Sequence, residues 1–416
     1  MIKFEILGPN KLSGEIEVNG AKNAAMKMIA ASILIDGDVI LENVPDIADI
    51  QTIIDLLTDN GAKIHRKNHT LIINVESLTN QNPDPKKVSK MRGSIVLVGS
   101  YLARFGKIEI PQPGGDLIGA RSIETHLDAF RKMNVNIENG GKNYKFTSGH
   151  FESGEIVLKE KSVTATENII LASVKAKGTV KISNAAIEPE ILDLVNFLNI
   201  AGAKISVSQN TYTISGVKSL HTLNYKVMPD RIETGTFAAL AVVTKSPLKI
   251  VNCRTKDLEI FWEKLSKMGV KFEKREDFLY IKSSSHLTSG SIETEVYPAF
   301  PTDLQSLMGL IFTQADGTSK IGENLYENRL NYLRELEKMG ARINILNSHQ
   351  AEITGPTILH GAKIASLDIR SGITLILAGL IAEGKTVISN AEIVDRGYEK
   401  IEERLQKIGA KIKRVG

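Results

Sequence analysis

Asp116 stands in the middle of a glycine-rich stretch, PGGDLIGAR (113–121), which ends in Arg121 and runs into an apparent helix. Taken by itself, a lone carboxylate on a flexible glycine-rich loop is most often a solvated surface residue, and the rest of the chain decides whether it is more. Further charged residues recur at one kind of place, the entrances of strongly apolar segments. Lys22-Asn23 precedes the first segment and Arg92 the second, while Thr166-Glu167-Asn168 opens the third. Asp230-Arg231-Ile232-Glu233 opens the fourth, Asp303 the fifth, and Asp368-Ile369-Arg370 leads into the sixth. If these segments are parallel helices, unsatisfied N–H groups and positive dipole ends gather where the charges lie. Asp303 and Thr166 suit a helix start anywhere. Cations do not, so Lys22, Arg92 and Arg370 need another reason, and binding a multiply charged anion supplies one.

Other chemistries lack their residues. There is no phosphate loop of the form G-x-x-x-x-G-K-[ST], no G-x-G-x-x-G and no nucleophile elbow. The eight histidines show no metal-ligand spacing, and the single cysteine, Cys253, excludes both a thiolate cluster and an internal disulfide. His126, just after the glycine loop, reads as a packing or hydrogen-bonding residue. Neither a metal nor an organic cofactor is expected.

The elements that position these residues announce themselves by repetition. NGAKI (60–64), MNVNI (133–137), AGAKI (201–205), MGVKF (268–272), MGARI (339–343) and IGAKI (408–412) are variants of one phrase. Measured at Gly61, Asn134, Gly202, Gly269, Gly340 and Gly409, the steps are 73, 68, 67, 71 and 69 residues, too long for the common solenoid repeats. Each phrase follows an amphipathic helix, which its glycine caps, and begins a strand that a turn and a second strand continue. Upstream lies a helix apolar on nearly every face, as in 23–34, 93–105, 166–176, 234–243, 303–315 and 371–382. Such helices must be buried all round. Six units therefore suggest two domains of three, each with its apolar helices gathered inside. The sixth unit lacks its second closing strand, which residues 3–7 are placed to supply. The expected division is 1–20 with 229–416 as one domain and 21–228, which includes the 111–121 loop, as the other.

The totals agree with an ordinary soluble globular protein. The 416 residues are 24% charged and 42% hydrophobic, enough for two real cores. The net charge of +4, without lysine or arginine runs, gives no sign of a nucleic-acid partner. The N-terminal MIKFEILGP alternates like a strand, unlike a signal peptide, and no apolar run is long enough for a bilayer. A cytoplasmic protein is expected.

With these residues in view the chain resembles a known family. NGAKNAA, PGGDLIGAR, SVTATEN, NAAIEPEILDL, PDRIETGTF, FPTDLQ, YENR, GARI and VDRGYEKIEERL follow in the order found in the UDP-N-acetylglucosamine 1-carboxyvinyltransferases. The resemblance runs from about residue 11 to residue 415. It implies an α/β fold of two inside-out barrels, each of three βαβαββ-type repeats. It also implies transfer of the enolpyruvyl group of phosphoenolpyruvate to the 3′-hydroxyl of UDP-N-acetylglucosamine, with release of phosphate. That reaction, the first committed step of peptidoglycan synthesis, passes through a tetrahedral adduct. It needs a base for the hydroxyl, an acid for the methylene carbon, and cations for phosphate and carboxylate. The expected partners are these two substrates, and the expected state is a monomer or weak homo-oligomer.

Motif by motif, the resemblance makes Lys22, with Asn23 beside it, the phosphate-binding lysine, with Arg121 and Arg396 as further phosphate partners. Arg329 and Arg370 become the carboxylate clamp, for which a planar fork is better suited than lysine. Arg92 joins both substrate sets. Asp303 takes the proton from the sugar hydroxyl, and Asp368 is an acid that orients its neighbours. The UDP-sugar contacts fall on Asn23, Arg92, Arg121, Ser122, Ile123, Glu124, Thr125, Lys161, Ser162, Val163, Thr164, Asp303 and Leu325.

Most of that family carries cysteine where Asp116 stands, and a minority shares the replacement. A carboxylic acid can serve as the proton donor if lid closure desolvates it and raises its pKa. Other departures are MRGS (91–94), ARSIET (120–125), SVTAT (162–166), PAFPTD (298–303) and IRSG (369–372). Ser122–Thr125 and Thr164 bear on the nucleotide more than on the reaction. Two alternatives stand beside this reading, a sibling transferase acting on shikimate 3-phosphate and a non-catalytic paralogue that binds a UDP-sugar.

Overall fold

The computed structural model describes residues 2–115, 118–119, 122–149, 151–283 and 286–416. The chain forms two compact units, a central one of residues 20–115 and 121–228 and a terminal one of 1–19, 116–120 and 229–416. Residues 116–120 aside, it passes between them at 19/20 and at 228/229.

Each unit is built from three sheets around buried helices. In the central unit these helices are Lys22–Ala31, Leu97–Phe105 and Val163–Ser173. In the terminal unit they are Arg231–Val243, Gln305–Phe312 and Ile369–Ile381. All residues of Arg231–Val243 and Gln305–Phe312 are buried, the polar ones of their first turns included, as helices apolar on nearly every face beyond that turn require. Small residues let the helices approach closely. A Cβ on Gly99 would lie 2.2 Å from the Asn168 carbonyl oxygen. There Asn168 accepts from the Gly99 N–H at 2.8 Å and donates to the Ile95 carbonyl at 3.0 Å, tying two buried helices together.

The recurring phrase has a plain cause. Gly61, Gly202, Gly269, Gly340 and Gly409 all follow a helix with φ between 93° and 104°, where a side chain is strained. Asn134 fills the sixth position at φ 61°, which asparagine tolerates best after glycine.

The N-terminal strand Lys3–Gly8 lies between Gly384–Ser389 and Ile412–Val415 and is antiparallel to both, with Lys3 opposite Ser389 and Val415. Five short strands precede buried helices: Gly14–Glu17, Gly154–Val157, Leu223–Lys226, Ser291–Thr294 and Lys363–Ala365. These are the leading strands of the repeat, and each adds to a sheet in parallel. Three of them pair within their own repeat. The other two are exchanged: Gly14–Glu17 pairs with Leu248–Val251, and Leu223–Lys226 with Asp38–Glu42. The exchange coincides with the two crossings. There Ala21 N donates to the Met228 carbonyl at 2.7 Å in the central unit, and Asp230 N donates to the Asn19 carbonyl at 2.8 Å in the terminal one.

One buried charge pair belongs to the central core. Lys27 Nζ lies 3.3 Å from Glu167 Oε2, and both side chains are almost wholly enclosed. Burial lifts the Glu167 carboxyl from 4.5 to about 7; Lys27 opposes the rise while Glu190 and Glu188 add to it. The folded chain therefore binds more protons than the unfolded one between these values, and stability falls as pH rises from about 4.5 to about 7. The expected loss from this group is on the order of 3 kcal/mol. Urea denaturation at pH 5 and pH 8 measures it, and a Lys27→Leu/Glu167→Leu variant should lack this component. An undiminished pH slope in that variant would refute the assignment.

Candidate active site

In the terminal unit the expected residues converge on one carboxylate. Asp303 sits in the short turn Thr302–Leu304, with Arg329 Nη2 2.7 Å from its Oδ1 and Arg370 Nη2 2.9 Å from its Oδ2. Both arginines are buried. Arg370 is the second residue of Ile369–Ile381, and Asp368 caps that helix by accepting from the Arg370 and Ser371 N–H groups at 2.8 and 3.1 Å. Ser371 Oγ returns the bond by accepting from Asp368 N at 3.0 Å, a reciprocal capping box. Asp368 thus orients Arg370 through the helix start.

Tyr398 completes the cluster. Its hydroxyl accepts from Arg370 Nη1 at 3.3 Å and shares a hydrogen bond with Thr236 Oγ1 at 2.8 Å. Burial would lift the Asp303 carboxyl, but Arg370 and Arg329 outweigh it and hold the group well below the usual carboxylate range. For Arg370 burial opposes the charge, and Asp303 more than compensates. Two fixed forks around one carboxylate are what recognition of a carboxylate anion requires. Arg396 ends the turn Ala391–Arg396 half-buried, two residues before Tyr398.

Glu323 braces the segment that carries Leu325 and Arg329. Its buried carboxylate accepts from Thr302 Oγ1 at 2.8 Å, from Leu325 N at 3.0 Å and from Tyr326 N at 3.2 Å. Thr302 precedes Asp303, so one buried acid fixes both sides of the cluster.

In the central unit Lys22 begins its buried helix and places Nζ 2.9 Å from Asp49 Oδ2, both residues being buried. Asn23 follows, half-buried. Arg92 Nη2 donates to the Ser122 carbonyl at 2.8 Å. The two segments expected to meet the nucleotide lie against each other. Thr125 Oγ1 donates to Glu160 Oε1 at 2.8 Å, and His126 Nε2 lies 3.0 Å from Thr164 Oγ1. Ser122 Oγ accepts from Glu124 N at 3.0 Å, and Ile123 is buried. Ser162 caps the helix that begins at Val163, while Lys161 is exposed. Burial, with help from Arg92, drives His126 down to about 3, so its ring is neutral near pH 7 and takes no charge to a phosphate. Asp116 and Arg121 lie outside the described residues. Among the described residues no cluster of three or more histidine, cysteine or acidic side chains could hold a metal ion.

The family model for EPSP synthase (3-phosphoshikimate 1-carboxyvinyltransferase) matches residues 6–405. The chain belongs to this family of enolpyruvyl transferases. Within it, the transferase is 40% identical to UDP-N-acetylglucosamine 1-carboxyvinyltransferase 2 of Carboxydothermus hydrogenoformans over 418 residues, covering 100% of both chains. It is 39% identical to UDP-N-acetylglucosamine 1-carboxyvinyltransferase 2 of Listeria monocytogenes, covering 98% of this chain and 97% of that one. Among solved structures, the enolpyruvyl transferase NikO from Streptomyces tendae superposes with a TM-score of 0.90 at 24% identity, covering 100% of this chain and 99% of that one. EPSP synthase from Acinetobacter baumannii does so at 0.77 and 18% identity over the whole of both chains. These two share its fold.

Four residues of the transferase's clusters escaped the sequence reading: Asp49, Glu160, Glu323 and Tyr398. Tyr398 lies within the quoted VDRGY motif, and Glu323 stands two residues before Leu325, so both were visible as neighbours of named residues. Glu160, directly before Lys161, was visible in the same way, whereas Asp49 carried no such signal.

Proposed function

We propose that the transferase moves the enolpyruvyl group of phosphoenolpyruvate onto the 3′-hydroxyl of UDP-N-acetylglucosamine and releases phosphate, opening peptidoglycan synthesis. The observation that carries this reading is the paired-arginine hold on Asp303, in a chain about 40% identical throughout to transferases of that name. Arg329 and Arg370 would take the substrate carboxylate, one fork to each side. Lys22, Arg121 and Arg396 would take its phosphate. Asp303 accepts the hydroxyl proton as the sugar oxygen bonds to the central carbon, and Asp116 gives a proton to the methylene carbon. Elimination then reverses the second transfer: the methyl carbon returns a proton, the carbon–oxygen bond to phosphate breaks, and the enol ether forms. Ser122, Thr125, Lys161 and Thr164 would meet the nucleotide.

The reading takes residues 1–20 and 229–416 as the catalytic domain, and a cytoplasmic monomer or weak homo-oligomer. Its test is phosphate release from phosphoenolpyruvate between pH 5 and 9, with UDP-N-acetylglucosamine and separately with shikimate 3-phosphate. Release with the UDP-sugar alone supports it. Release with shikimate 3-phosphate moves the assignment to the reaction for which the family model is described. No release with either acceptor leaves a binding protein.

Fosfomycin, an epoxide that alkylates the loop cysteine of most such enzymes, should fail against this one. The only thiol is that of Cys253, which is buried and pushed up to about 12, chiefly by burial and then by Asp277. Such a thiol carries almost no thiolate at neutral pH. Intact-mass measurement after incubation should show no adduct; a stoichiometric one on residues 113–121 would contradict the assignment of Asp116.

A further inference from the structure

Asp303 satisfies both clamp arginines by itself. One carboxylate oxygen goes to Arg329 and the other to Arg370, at 2.7 and 2.9 Å, the arrangement an incoming carboxylate would need from the same two groups. The arginines are the fixed members. They are 5% and 7% exposed, while the Asp303 side chain keeps 29% of its surface open. Arg370 is further held by the Tyr398 hydroxyl and by its capped helix, and Arg329 begins the turn that follows the Glu323-braced segment. Asp303 rides on a turn of only three residues.

We propose that Asp303 is the resident occupant of the carboxylate clamp, and that the carboxylate of the substrate displaces it and thereby frees it to accept a proton. This rests on the proposed enolpyruvyl transfer. The exchange trades one anion for another, so neither buried guanidinium is left without a counter-charge. Held between two cations the acid is a poor base; released from them it becomes a better one. The proton acceptor is thus competent only after a carboxylate-bearing donor has arrived. A phosphate ester lacking the carboxylate would leave it locked.

The test compares the binding of pyruvate and of inorganic phosphate to the wild-type protein and to Asp303→Asn by isothermal titration calorimetry. Removing the internal competitor should tighten pyruvate about tenfold or more, the equivalent of one charge-assisted contact. Phosphate, which feels only the changed net charge, should shift less than about threefold. Equal shifts for the two anions, unchanged pyruvate affinity, or no pyruvate binding to either protein would each overturn the exchange. If Asp303→Asn does not fold, Asp303→Ser carries the same comparison. Failure of the transfer assay with pyruvate tightened would remove the proposed function and leave the exchange standing. Turnover without tightening would do the reverse.

Discussion

Replacing Asp116 by asparagine is expected to lower phosphate release by about 10²–10⁴-fold, the range over which a positioned acid or base contributes. Asparagine keeps the size and much of the polarity but has no proton to give. An unperturbed aspartate has a pKa of about 4 and is almost wholly ionised at pH 7, so the assignment demands that the working enzyme raise it. The pH profile carries the sign: an acid that must be protonated loses activity as pH rises through its pKa. The turnover number of the wild-type enzyme should therefore decline toward pH 9. An Asp116→Cys variant should remain active, hold its rate to higher pH because a thiol's ordinary pKa is about 8.5, and become a target for fosfomycin. An Asp116→Asn enzyme with more than about a tenth of normal turnover would remove Asp116 from the chemistry.

Arg370→Ala is the second large effect. Truncating one partner of a buried, hydrogen-bonded charge pair costs about 2–5 kcal/mol, or roughly 30- to several-thousandfold in kcat/KM for phosphoenolpyruvate. The loss should appear against phosphoenolpyruvate and leave the KM for the UDP-sugar nearly unchanged. Asp303 retains Arg329 in this variant, so the turn is not left with an uncompensated charge. Arg370→Lys should recover only part of the loss, since one ammonium cannot reach both Asp303 and Tyr398 in the positions the two guanidinium nitrogens now occupy. Steady-state kinetics with each substrate varied in turn decides the matter. A defect confined to the UDP-sugar would place Arg370 on the wrong substrate.

The sequence made the periodic parts of this molecule readable and left the non-local parts dark. The buried helices declared themselves because an all-apolar run admits few other fates, and the helix ends because Gly61 and its equivalents must turn through positive φ. The leading strands of four residues or fewer were too short for alternation to register, and nothing local marks the exchange of Gly14–Glu17 with Leu223–Lys226. The same limit applied at the site. Asp303, Arg329 and Arg370 were named from their motifs, yet their mutual contacts join residues 26 and 67 positions apart, a distance over which no spacing rule operates. Lys22 likewise meets an acid, Asp49, 27 positions on. That a candidate base would be held by the candidate clamp was beyond any reading of types and spacing.

The placement of Lys3–Gly8 has a consequence for how the chain is made. Residues 20–228 contain all the strands of their own three sheets, so this half can close as soon as it leaves the ribosome. The first strand finds its neighbours only at Gly384–Ser389 and Ile412–Val415. Roughly 190 residues separate the end of the central unit from the last of those strands, about 10–40 s of translation at ordinary elongation rates. Through that interval the strand carries Phe4 and Ile6, both buried in the finished protein, without the neighbours they pack against. An apolar strand is therefore left without its sheet partners until Gly384–Ser389 and Ile412–Val415 have been made.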